Sequence, residues 1–506
     1  MDTLLYSVDQ IRAIERAASS ALPPGTLMRR AGEAATTYAL ELLKGRPTDV
    51  VLVLAGPGNN GGDALEVAAN LAALGCKVKV AWLGGDGAPS PETQAALERA
   101  HAGSACFVDE LTDGESHCLV IDGLFGIGLA RPLAGRAREL VEVVNRKRCP
   151  VLSLDVPSGL DADTGVVVGP HGIAVAATYT ITFLGNKPGL HTGDGCDHAG
   201  RVHVDRLGVD ELHVAGVDAE HARARLNLPP LFAACAAPRR RNSHKGSYGD
   251  VAVLGGAPGM AGAALLAARG ALFAGAGRVF VAAVGDDGAG VALDPAQPEI
   301  MMRPAAGFAF GGRTVVAGPG MGDSAGATRM LAQVLDGSGP LLVDADALNL
   351  VAASPDLQAR LARHDGPAVL TPHPLEAARL LGVTTPVVQA DRLESARELA
   401  QRLNAVVVLK GAGSVIARPD GEVAVNTSGN PGLATGGSGD VLAGLGGALL
   451  AQGWPAWEAA LGAVWLHGAA ADRLVNCGCG PIGLTAGELP RAIRAELNAL
   501  AAQSRT

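Results

Sequence analysis

A glycine-rich stretch that ends in a carboxylate is the clearest candidate for chemistry in this sequence. It consists of Gly436-Gly-Ser-Gly-Asp440 and leads directly into the apolar segment 441–452, whose spacing predicts a helix. Glycines let a backbone approach a ligand closely, and free amides at a helix start bind anions. A carboxylate would repel a phosphate there, so we interpret Asp440 as a base that takes a proton from an attacking hydroxyl. A plain glycine turn with Asp440 as the helix N-cap is the alternative.

Three polar segments in the second half of the sequence each follow a predicted strand, where ligands bind in α/β folds. The segment Lys410–Ser414 contains a lysine and two glycines, which suit a nucleotide phosphate, although it lacks the spacing of a P-loop. The segment Asp344–Asp346 offers carboxylates to Mg²⁺ or to a substrate hydroxyl, but Asp346 equally suits the N-cap of the next helix. His373, in Thr371–Glu376, is flanked by prolines that hold it at the end of its strand.

The first half contains a glycine turn with the G-x-G-x-x-G spacing of dinucleotide-binding folds. This turn, Gly56–Gly61, follows an apolar strand, and Asp86 lies near the position where such folds carry an acid. An NAD-dependent dehydrogenase is therefore one hypothesis for this half. Asn59, Asn60 and Asp63 argue against it, because amide and carboxylate oxygens suit a cation or a polar substrate better than a pyrophosphate.

Two aspartates end predicted strands of the first half, at the edge of the sheet where α/β proteins bind ligands. Asp122 ends one strand, and Asp155 ends another in a proline–glycine turn that also contains Ser158. Asn60, Asp122 and Ser158 would offer a hard cation several oxygens, and their single carboxylate favours a monovalent ion over Ca²⁺. Alternatively, Asp122 and Asp155 each cap a loop.

The order of the apolar segments predicts two different α/β domains built on doubly wound parallel sheets. Strands are predicted at 50–54, 77–83, 118–122, 151–155, 178–183, 201–204, 250–256, 278–283, 314–317, 340–344, 368–370 and 406–409. The principal helices are predicted at 7–21, 26–43, 136–147, 261–274, 325–335, 375–381, 391–403, 440–452, 456–475 and 486–502. The polar, proline-containing segment between His221 and Gly249 predicts the domain boundary.

Composition and charge narrow the class of protein. With 506 residues the chain is long enough for two or three domains, and its net charge of -9 argues against a nucleic-acid-binding surface. No apolar run approaches the ~18 residues that a membrane span needs, and the N-terminus lacks the features of a signal peptide. The 8 cysteines lack the usual metal or redox spacing, so we expect free thiols. We therefore expect a cytoplasmic protein that binds neither nucleic acid nor membranes.

Taken together, these motifs resemble a known family over almost the whole chain. The resemblance to an NAD(P)H-hydrate epimerase domain is carried by Asn59–Asp63, Asp122–Pro132 and Asp155–Gly159. The resemblance to the ADP/ATP-dependent NAD(P)H-hydrate dehydratase, a relative of the ribokinases, is carried by Thr371–Pro374, Lys410–Ser414 and Gly436–Asp440. The fused order resembles that of the bifunctional nicotinamide nucleotide repair enzymes. It implies a Rossmann-like three-layer sandwich in residues 1–228 and a ribokinase-like three-layer α/β/α domain in residues 229–506.

The resemblance also implies substrates, cofactors and site residues. The N-terminal domain would interconvert the R and S hydrates of NADH and NADPH; the C-terminal domain would phosphorylate the S hydrate with ADP or ATP and Mg²⁺, then expel phosphate. The implied catalytic residues are Asp155 and Asp440. The implied hydrate contacts are Asn59, Asn60, Gly61, Gly62, Asp63, Gly126, Ile127, Gly128, Leu129, Ala130, Arg131, Pro132, Asp155, Ala263, Gly320, His373 and Asp440. The implied nucleotide contacts are Lys410, Gly411, Ala412, Gly413, Ser414 and Gly439, and the implied K⁺ ligands are Asn60, Asp122 and Ser158.

The sequence departs from the family pattern at Ala64, Glu66 and Asn70, on the helix that follows the Asn59–Asp63 turn. Two alternatives remain beside the repair enzyme. One is a ribokinase-like sugar or vitamin kinase with a non-catalytic N-terminal domain, which would accumulate a phosphorylated product. The other is a ligand-binding or scaffolding protein, which would consume neither epimer. In each case we expect small-molecule ligands, and we also expect a homo-oligomer.

Overall fold

The computed structural model describes residues 3–44, 50–84, 89–111, 115–209, 222–285 and 293–503. The chain folds into two compact units, Met1–Arg225 and Leu226–Thr506. Asp86 and His221, which we named as a candidate acid and as one end of the boundary segment, lie outside the described residues. Within the described ranges, none of the helices has the length and apolar character needed to cross a bilayer. All eight cysteines are free thiols, as predicted.

Strands and helices alternate in the first unit. In chain order its elements are β1 Leu4–Leu5, α1 Val8–Ala21, α2 Thr26–Leu42, β2 Val50–Ala55, α3 Asn59–Ala73, β3 Lys77–Trp82, α4 Pro91–Ala102, β4 Cys106–Phe107, β5 Leu119–Gly123, α5 Gly135–Asn145, β6 Val151–Leu154, β7 Tyr179–Phe183, α6 Gly195–His198 and β8 Arg201–Asp205. The short strand β9, Ala224–Asn227, pairs antiparallel with β1. The remaining strands form a parallel sheet in the order β4-β3-β2-β5-β6-β7-β8, which confirms the predicted doubly wound fold.

Strand β2 lies inside this sheet and is apolar throughout because both of its faces are covered. Val51 and Val53 pack in the core with α1, α2 and α3, whereas Leu52 and Leu54 pack on the opposite face with α5. The order of the sheet reverses between β2 and β5. The chain after β2 leads to α3 on one face of the sheet and the chain after β5 leads to α5 on the other, which leaves a crevice at the carboxyl edge.

Glycines allow the loops beside β2 to approach each other. A side chain at Gly56 would overlap the carbonyl oxygen of Leu124, and a side chain at Gly61 would overlap the carbonyl oxygen of Gly56. Both positions therefore require glycine for close packing of backbone. This requirement accounts for the first and last glycines of the G-x-G-x-x-G pattern without a bound dinucleotide, whereas a β-carbon at Gly58 would meet no atom within 4 Å.

The residues of α3 that depart from the family pattern have partners on neighbouring helices. Glu66 pairs with Arg99 of α4, whose Nε lies 3.2 Å from Glu66 Oε2. Asn70 Nδ2 donates to Thr36 Oγ1 of α2 at 3.4 Å. Ala64 is fully buried. These three residues thus belong to the packing of α3 against the helices and the sheet beside it.

The second unit is a second, different α/β fold. In chain order its elements are β10 Asp250–Gly255, α7 Ala261–Phe273, β11 Arg278–Ala283, β12 Met301–Pro304, β13 Thr314–Ala317, α8 Ala325–Leu335, β14 Leu341–Val343, α9 Ala345–Ala353, α10 Pro355–Ala362, β15 Ala368–Leu370, α11 Pro374–Leu381, α12 Thr385–Ala390, α13 Arg392–Leu403, β16 Val406–Leu409, β17 Val415–Ala417, β18 Val423–Asn426, α14 Ser438–Ala451, α15 Ala456–Asn476 and α16 Leu489–Gln503. The strand order is β18-β17-β16-β15-β14-β13-β10-β11-β12. The pairs from β16 to β12 are parallel, whereas β17 and β18 continue the sheet antiparallel.

Helices α7 and α14 pack closely because glycines lie at their contact. A side chain at Gly444 of α14 would overlap the backbone carbonyl of Ala267 on α7. A side chain at Gly270 of α7 would in turn overlap the backbone carbonyl of Val441 on α14. The N-terminus of α14 is therefore fixed in position by direct backbone contact with α7.

We predict that Gly444→Ala destabilises the second unit by ~1–3 kcal/mol, because the added methyl group must force the two helices apart. Tryptophan fluorescence during urea unfolding measures this, since Trp454, Trp457 and Trp465 all lie in this unit. Gly262→Ala is the matched control on α7, because no atom lies within 4 Å of an added β-carbon there. The control should be as stable as the parent or more so. Equal midpoints for Gly444→Ala and the parent would contradict the close packing.

Candidate active sites

A cavity of about 750 Å³ opens at the carboxyl edge of the first unit's sheet. It lies beside the point between β2 and β5 where the strand order reverses, which is the usual ligand position in such folds. The predicted residues that line it are Asn59, Asn60, Asp63, Gly126, Ile127, Gly128, Leu129 and Asp155. The structure therefore brings together residues from three separate segments of the sequence.

Of the hydrate-binding residues predicted in the first unit, five lie outside the wall of this cavity. Gly61 and Gly62 are buried in α3, where a side chain at Gly62 would overlap Met28. Ala130, Arg131 and Pro132 are exposed. Their assigned role in binding stays a prediction.

Asp155 forms an ion pair with a lysine that no sequence motif identified. Lys187 Nζ lies 2.7 Å from Asp155 Oδ1, and the lysine side chain is 0% exposed. Asp155 follows β6 and Lys187 follows the neighbouring strand β7, so both arise at the same edge of the sheet. That shared placement is the signal that could have pointed to Lys187.

Two further carboxyl groups face the cavity, and their environments favour the protonated form. Burial raises the pKa of Asp63 well above its usual range, and the charges of Asp155 and Glu15 raise it further. Burial also raises the pKa of Glu15, as does the charge of Asp155. Glu15 lies on α1, lines the cavity and hydrogen-bonds to Asn59. The cavity therefore combines an ion-paired carboxylate with two carboxyl groups whose environments raise their pKa values.

Asp122 is fully buried and organises the loop that follows β5. It accepts hydrogen bonds from Ser153 Oγ at 2.8 Å and from Ser158 N and Oγ at 2.9 and 2.6 Å. It also accepts the backbone N–H of Leu124 at 3.3 Å. Burial raises the pKa of Asp122, and these hydrogen bonds oppose the rise. Asp122 thus does cap its loop, and it holds Ser158 beside it.

Asn60 is the unsatisfied member of the predicted cation site. Both polar atoms of its side chain are buried, and neither has a hydrogen-bond partner among the described residues. The side chain lies against Gly126, where an added β-carbon would be 3.4 Å from Asn60 Cβ. Ser158 Oγ accepts the N–H of Phe125, the residue before that glycine, at 2.9 Å. A buried amide oxygen without a donor among the described residues, against the loop that Asp122 and Ser158 hold, fits a monovalent cation.

In the second unit, Lys410 and Asp344 form an ion pair at the ends of two parallel strands. Lys410 Nζ lies 2.7 Å from Asp344 Oδ1, and the aspartate is 2% exposed. Burial alone would lower the pKa of Lys410, but the charges of Asp344, Glu376 and Asp440 raise it. The lysine also lies against the start of α14, since a β-carbon at Gly439 would be 3.4 Å from Lys410 Nζ.

Asp440 lies in the first turn of α14 and faces this charged group. The helix begins at Ser438 after Gly437, whose φ of 90° is left-handed, so the interpretation of Asp440 as the N-cap is wrong. Burial raises the pKa of Asp440 to about 6; the charge of Asp344 adds to the rise and Lys410 opposes it. A carboxylate with such a pKa is ionised at neutral pH and is a better proton acceptor than an exposed aspartate.

The predicted nucleotide-binding turn, Lys410–Ser414, connects the antiparallel strands β16 and β17. Gly411 and Gly413 have φ values of 139° and 60°, which explains why glycines stand there. Arg392, which is 1% exposed, supports the turn from α13. Its guanidinium donates to the carbonyls of Leu409 and Lys410 at 3.3 and 3.2 Å.

His373 caps α11 as well as lying at the end of β15. Its Nδ1 accepts the backbone N–H groups of Leu375 and Glu376 at 3.1 and 3.3 Å, and Glu376 Oε2 accepts the N–H of His373 at 2.7 Å. Burial lowers the pKa of His373, consistent with a neutral ring that accepts these bonds. Burial raises the pKa of Glu376 to about 7. The histidine side chain is 45% exposed, so it can also contact a ligand.

Gly320 and Ala263 are neighbours in space, as the predicted hydrate site requires. Gly320 follows β13 with a φ of 58°, and an added β-carbon there would lie 3.2 Å from Ala263 Cβ. Asp346 Oδ2 accepts the N–H of Gly322 at 2.8 Å and so ties down the same loop. The N-cap of α9 is Asp344, so the interpretation of Asp346 as that N-cap is wrong.

Helix α15 hydrogen-bonds to the segment 429–438, which leads into α14. No local motif predicted this role. The carboxylate of Asp472 accepts hydrogen bonds from the backbone N–H of Gly429 and from Asn430 Nδ2, each at 2.8 Å. The Nε2 of His467 lies 3.0 Å from the carbonyl of Ser438. Burial lowers the pKa of His467 to about 4, so the ring is neutral and donates this bond.

Two family models match the chain, one in each unit. The model described as YjeF-related protein N-terminus matches residues 24–189, and the model described as NAD(P)H-hydrate dehydratase matches residues 251–492. Among solved structures, the ADP/ATP-dependent NAD(P)H-hydrate dehydratase of Bacillus subtilis, co-crystallised with ATP/Mg²⁺, is 32% identical. That alignment covers 54% of this chain and 98% of the Bacillus chain, with a TM-score of 0.48.

Relatives that match nearly the whole chain carry both parts. The bifunctional NAD(P)H-hydrate repair enzyme Nnr of Escherichia coli is 38% identical over 481 residues, covering 93% of this chain and 89% of the relative. The enzyme of the same name from Mycobacterium tuberculosis H37Rv is also 38% identical, covering 90% of each chain. The chain therefore belongs to the family of bifunctional NAD(P)H-hydrate repair enzymes.

Proposed function

We propose that this protein repairs hydrated NADH and NADPH by two successive activities. An epimerase in residues 1–228 interconverts the R and S hydrates. A dehydratase in residues 229–506 then converts the S hydrate back to the dihydronicotinamide, with ADP or ATP as phosphoryl donor. Family membership, the two separate family matches and the division of the fold after Arg225 support this assignment.

One observation carries the dehydratase assignment: Asp440 lies in a glycine-lined helix start beside Lys410. Asp440 accepts the proton of the hydrate hydroxyl, whose oxygen attacks the terminal phosphorus, and the shortened nucleotide leaves. Phosphate then leaves with the electron pair of its C–O bond while the adjacent carbon loses a proton, which restores the double bond. The backbone amides of Gly436–Gly439 stabilise the charge on the transferred group, and one such donor is typically worth ~3 kcal/mol.

The remaining predicted contacts follow this arrangement. The proposed nucleotide contacts are Lys410, Gly411, Ala412, Gly413, Ser414 and Gly439, and the proposed hydrate contacts are Ala263, Gly320, His373 and Asp440. Mg²⁺ bound with the nucleotide would neutralise phosphate charge. The Asp346 carboxylate fits that ion, because among the described residues only its Oδ2 accepts a hydrogen bond, from the N–H of Gly322.

In the first unit, Asn59–Asp63, Gly126–Pro132 and Asp155 hold the hydrate. Asn60, Asp122 and Ser158 hold K⁺, and the unpartnered amide of Asn60 is the observation that supports a cation there. Such an ion would fix the loop after β5 and contribute positive charge to the site. A cytoplasmic location and a homo-oligomeric state stay predictions.

The experiment that tests the whole proposal supplies the purified chain with mixed hydrate epimers and ADP or ATP. Return of dihydronicotinamide absorbance and release of phosphate are followed together, and each epimer is separated by chromatography. We expect both epimers to be consumed. Consumption of the S epimer alone would remove the epimerase, and a phosphorylated product that accumulates would identify a kinase.

We predict that Asp440→Asn keeps nucleotide affinity but lowers dehydratase kcat by ~10²–10⁴-fold, the usual contribution of a positioned base. Nucleotide binding is measured by calorimetry, and turnover by absorbance. Asp336→Asn is the matched control, because Asp336 is a 56% exposed surface residue paired with Arg360. A near-normal rate in Asp440→Asn would remove this residue from the role of base.

The raised pKa of Asp440 predicts the acid limb of the dehydratase pH profile. The base must be ionised, so kcat/KM should fall about tenfold per pH unit below the pKa of the free protein, about 6. Activity is therefore expected at neutral pH and should decline as the pH falls through this value. An acid limb of the kcat/KM profile near the ordinary pKa of an aspartate would show that Asp440 is not the group that titrates.

We predict that Asn60→Ala abolishes stimulation of epimer exchange by K⁺, and that Asp122→Ala does the same. Asn60→Ala is the sharper test, because the Asn60 side chain makes no hydrogen bond with any described residue, whereas Asp122 also holds its loop. The second readout is the melting temperature in K⁺ against tetramethylammonium, where the K⁺-dependent rise should disappear in Asn60→Ala. If the parent responds to neither ion, the cation site is refuted.

A further inference from the structure

Lys187 is an unusual residue for the wall of a cavity, because its charged end is completely enclosed. Its side chain is 0% exposed, and its Nζ lies 2.7 Å from Asp155 Oδ1 and 2.6 Å from Thr182 Oγ1. The same nitrogen donates to the carbonyl oxygens of Phe183 and Gly185 at 3.0 and 3.2 Å. Only one of these four oxygen partners is charged.

A buried ammonium is costly unless an anion compensates it, so the pairing with Asp155 explains why Lys187 is tolerated there. The three neutral oxygens all come from residues 182–185, which lie within five positions of the lysine along the chain. They fix where the ammonium sits. Asp155, by contrast, comes from a different strand end and faces the cavity.

Asp155 itself is held in one orientation. Its φ of 64° is rare for a residue with a side chain, and its N–H donates to the carbonyl of Ile181 at 2.7 Å. Oδ1 points at Lys187, whereas Oδ2 lies 3.4 Å from the backbone nitrogen of Ile127 and 3.0 Å from a β-carbon built at Gly126. Oδ2 is thus the oxygen presented to the glycine loop that lines the cavity.

The ammonium is paired with one of the four carboxyl groups that line the cavity, which are Glu15, Asp63, Glu92 and Asp155. Asp63 and Glu15 line the same cavity, and neither forms an ion pair in the parts of the chain that the structure describes. Arg12, which also lines the cavity, is paired with Asp9 at 3.8 Å. Asp155 therefore differs from Asp63 and Glu15: among the described residues, Asp155 is paired with a fixed cation and the other two are not.

We infer that Lys187 is a positioning residue for epimerisation, which holds Asp155 as a carboxylate with Oδ2 turned towards the hydrated carbon. This inference rests on the proposed epimerase activity of the first unit. Lys187 acts through Asp155 and does not touch the reacting atoms. Asp155 is then the group that accepts the proton released when water adds to the hydrated carbon.

The hydrated carbon is bonded to the ring nitrogen, as in any hydrated enamine, so its C–O bond breaks as the nitrogen lone pair forms a C=N bond. The hydroxyl takes a proton from Asp63, whose burial favours the protonated form, and leaves as water. Water then adds to the opposite face, the C=N electrons return to nitrogen, and the Asp155 carboxylate accepts the released proton. Both carboxyl groups regain their starting forms by proton exchange with solvent. An Asp155 that already carried a proton would be unable to accept the one released by water.

The test compares the pH profile of epimer exchange in the parent, Lys187→Met and Lys187→Gln. Glutamine retains a hydrogen-bond donor but no charge, so it separates the charge from the hydrogen bond. Loss of the adjacent cation disfavours the ionised form of an aspartate, so in both variants we expect the acid limb to move to higher pH. Thr182→Ser is the control: it keeps the hydroxyl that contacts both the ammonium and Asp155 Oδ1, so its acid limb should not move.

A double-mutant comparison guards against a purely structural effect. If Lys187 acts only through Asp155, then Lys187→Met should cost nothing further in rate once Asp155→Asn is present. The double variant also removes both charges together, so it should fold if Lys187→Met alone does not. An unmoved acid limb in Lys187→Gln, or additive losses in the double variant, would overturn the inference. A parent protein that exchanges no epimers would instead overturn the proposed function.

Discussion

A buried or nearly buried lysine–aspartate pair at the carboxyl ends of parallel strands is the interaction on which both sites depend. The Nζ–Oδ1 distance is 2.7 Å both for Lys187 with Asp155 and for Lys410 with Asp344. In each unit the partners follow different strands of one sheet, so the pair joins two loops that the sheet alone would leave independent. Because removing one partner leaves an uncompensated charge, each pair holds its loops in a single arrangement.

The two pairs have opposite consequences for the carboxylates that we assign to catalysis. In the first unit the lysine is bonded to the proposed catalytic group itself, Asp155. In the second unit Lys410 is bonded to Asp344, and Asp440 faces both of these charges from the start of α14. Burial and Asp344 then raise the pKa of Asp440 to about 6, which suits a base that must accept a hydroxyl proton at neutral pH.

Much of this arrangement was predictable from the sequence, because strand ends and glycine turns are local features. The alternation of apolar strands and helices predicted both sheets, and the motifs around Asp155 and Asp440 predicted where polar groups gather. Lys187 was not predictable in this way, since its partner is 32 positions away and no motif joins them. Helix α15 was missed as an anchor for the same reason: its contacts with Asn430 and Ser438 depend on packing. Strands β17 and β18 were missed because they are short and adjoin a glycine turn.

Asn60 shows how a binding site can be recognised from a buried polar side chain that has no hydrogen-bond partner among the described residues. Leaving a buried polar group without a partner typically costs ~1–3 kcal/mol, and native proteins keep few such groups. The same short segment contains Gly61, which cannot be replaced without displacing the backbone at Gly56. The start of α3 is therefore fixed by packing while its first buried amide stays unsatisfied, a combination that packing alone does not require. The fold loses stability at the unsatisfied Asn60 side chain, and a bound cation would restore it. This is the physical argument for placing a cation beside Asp122.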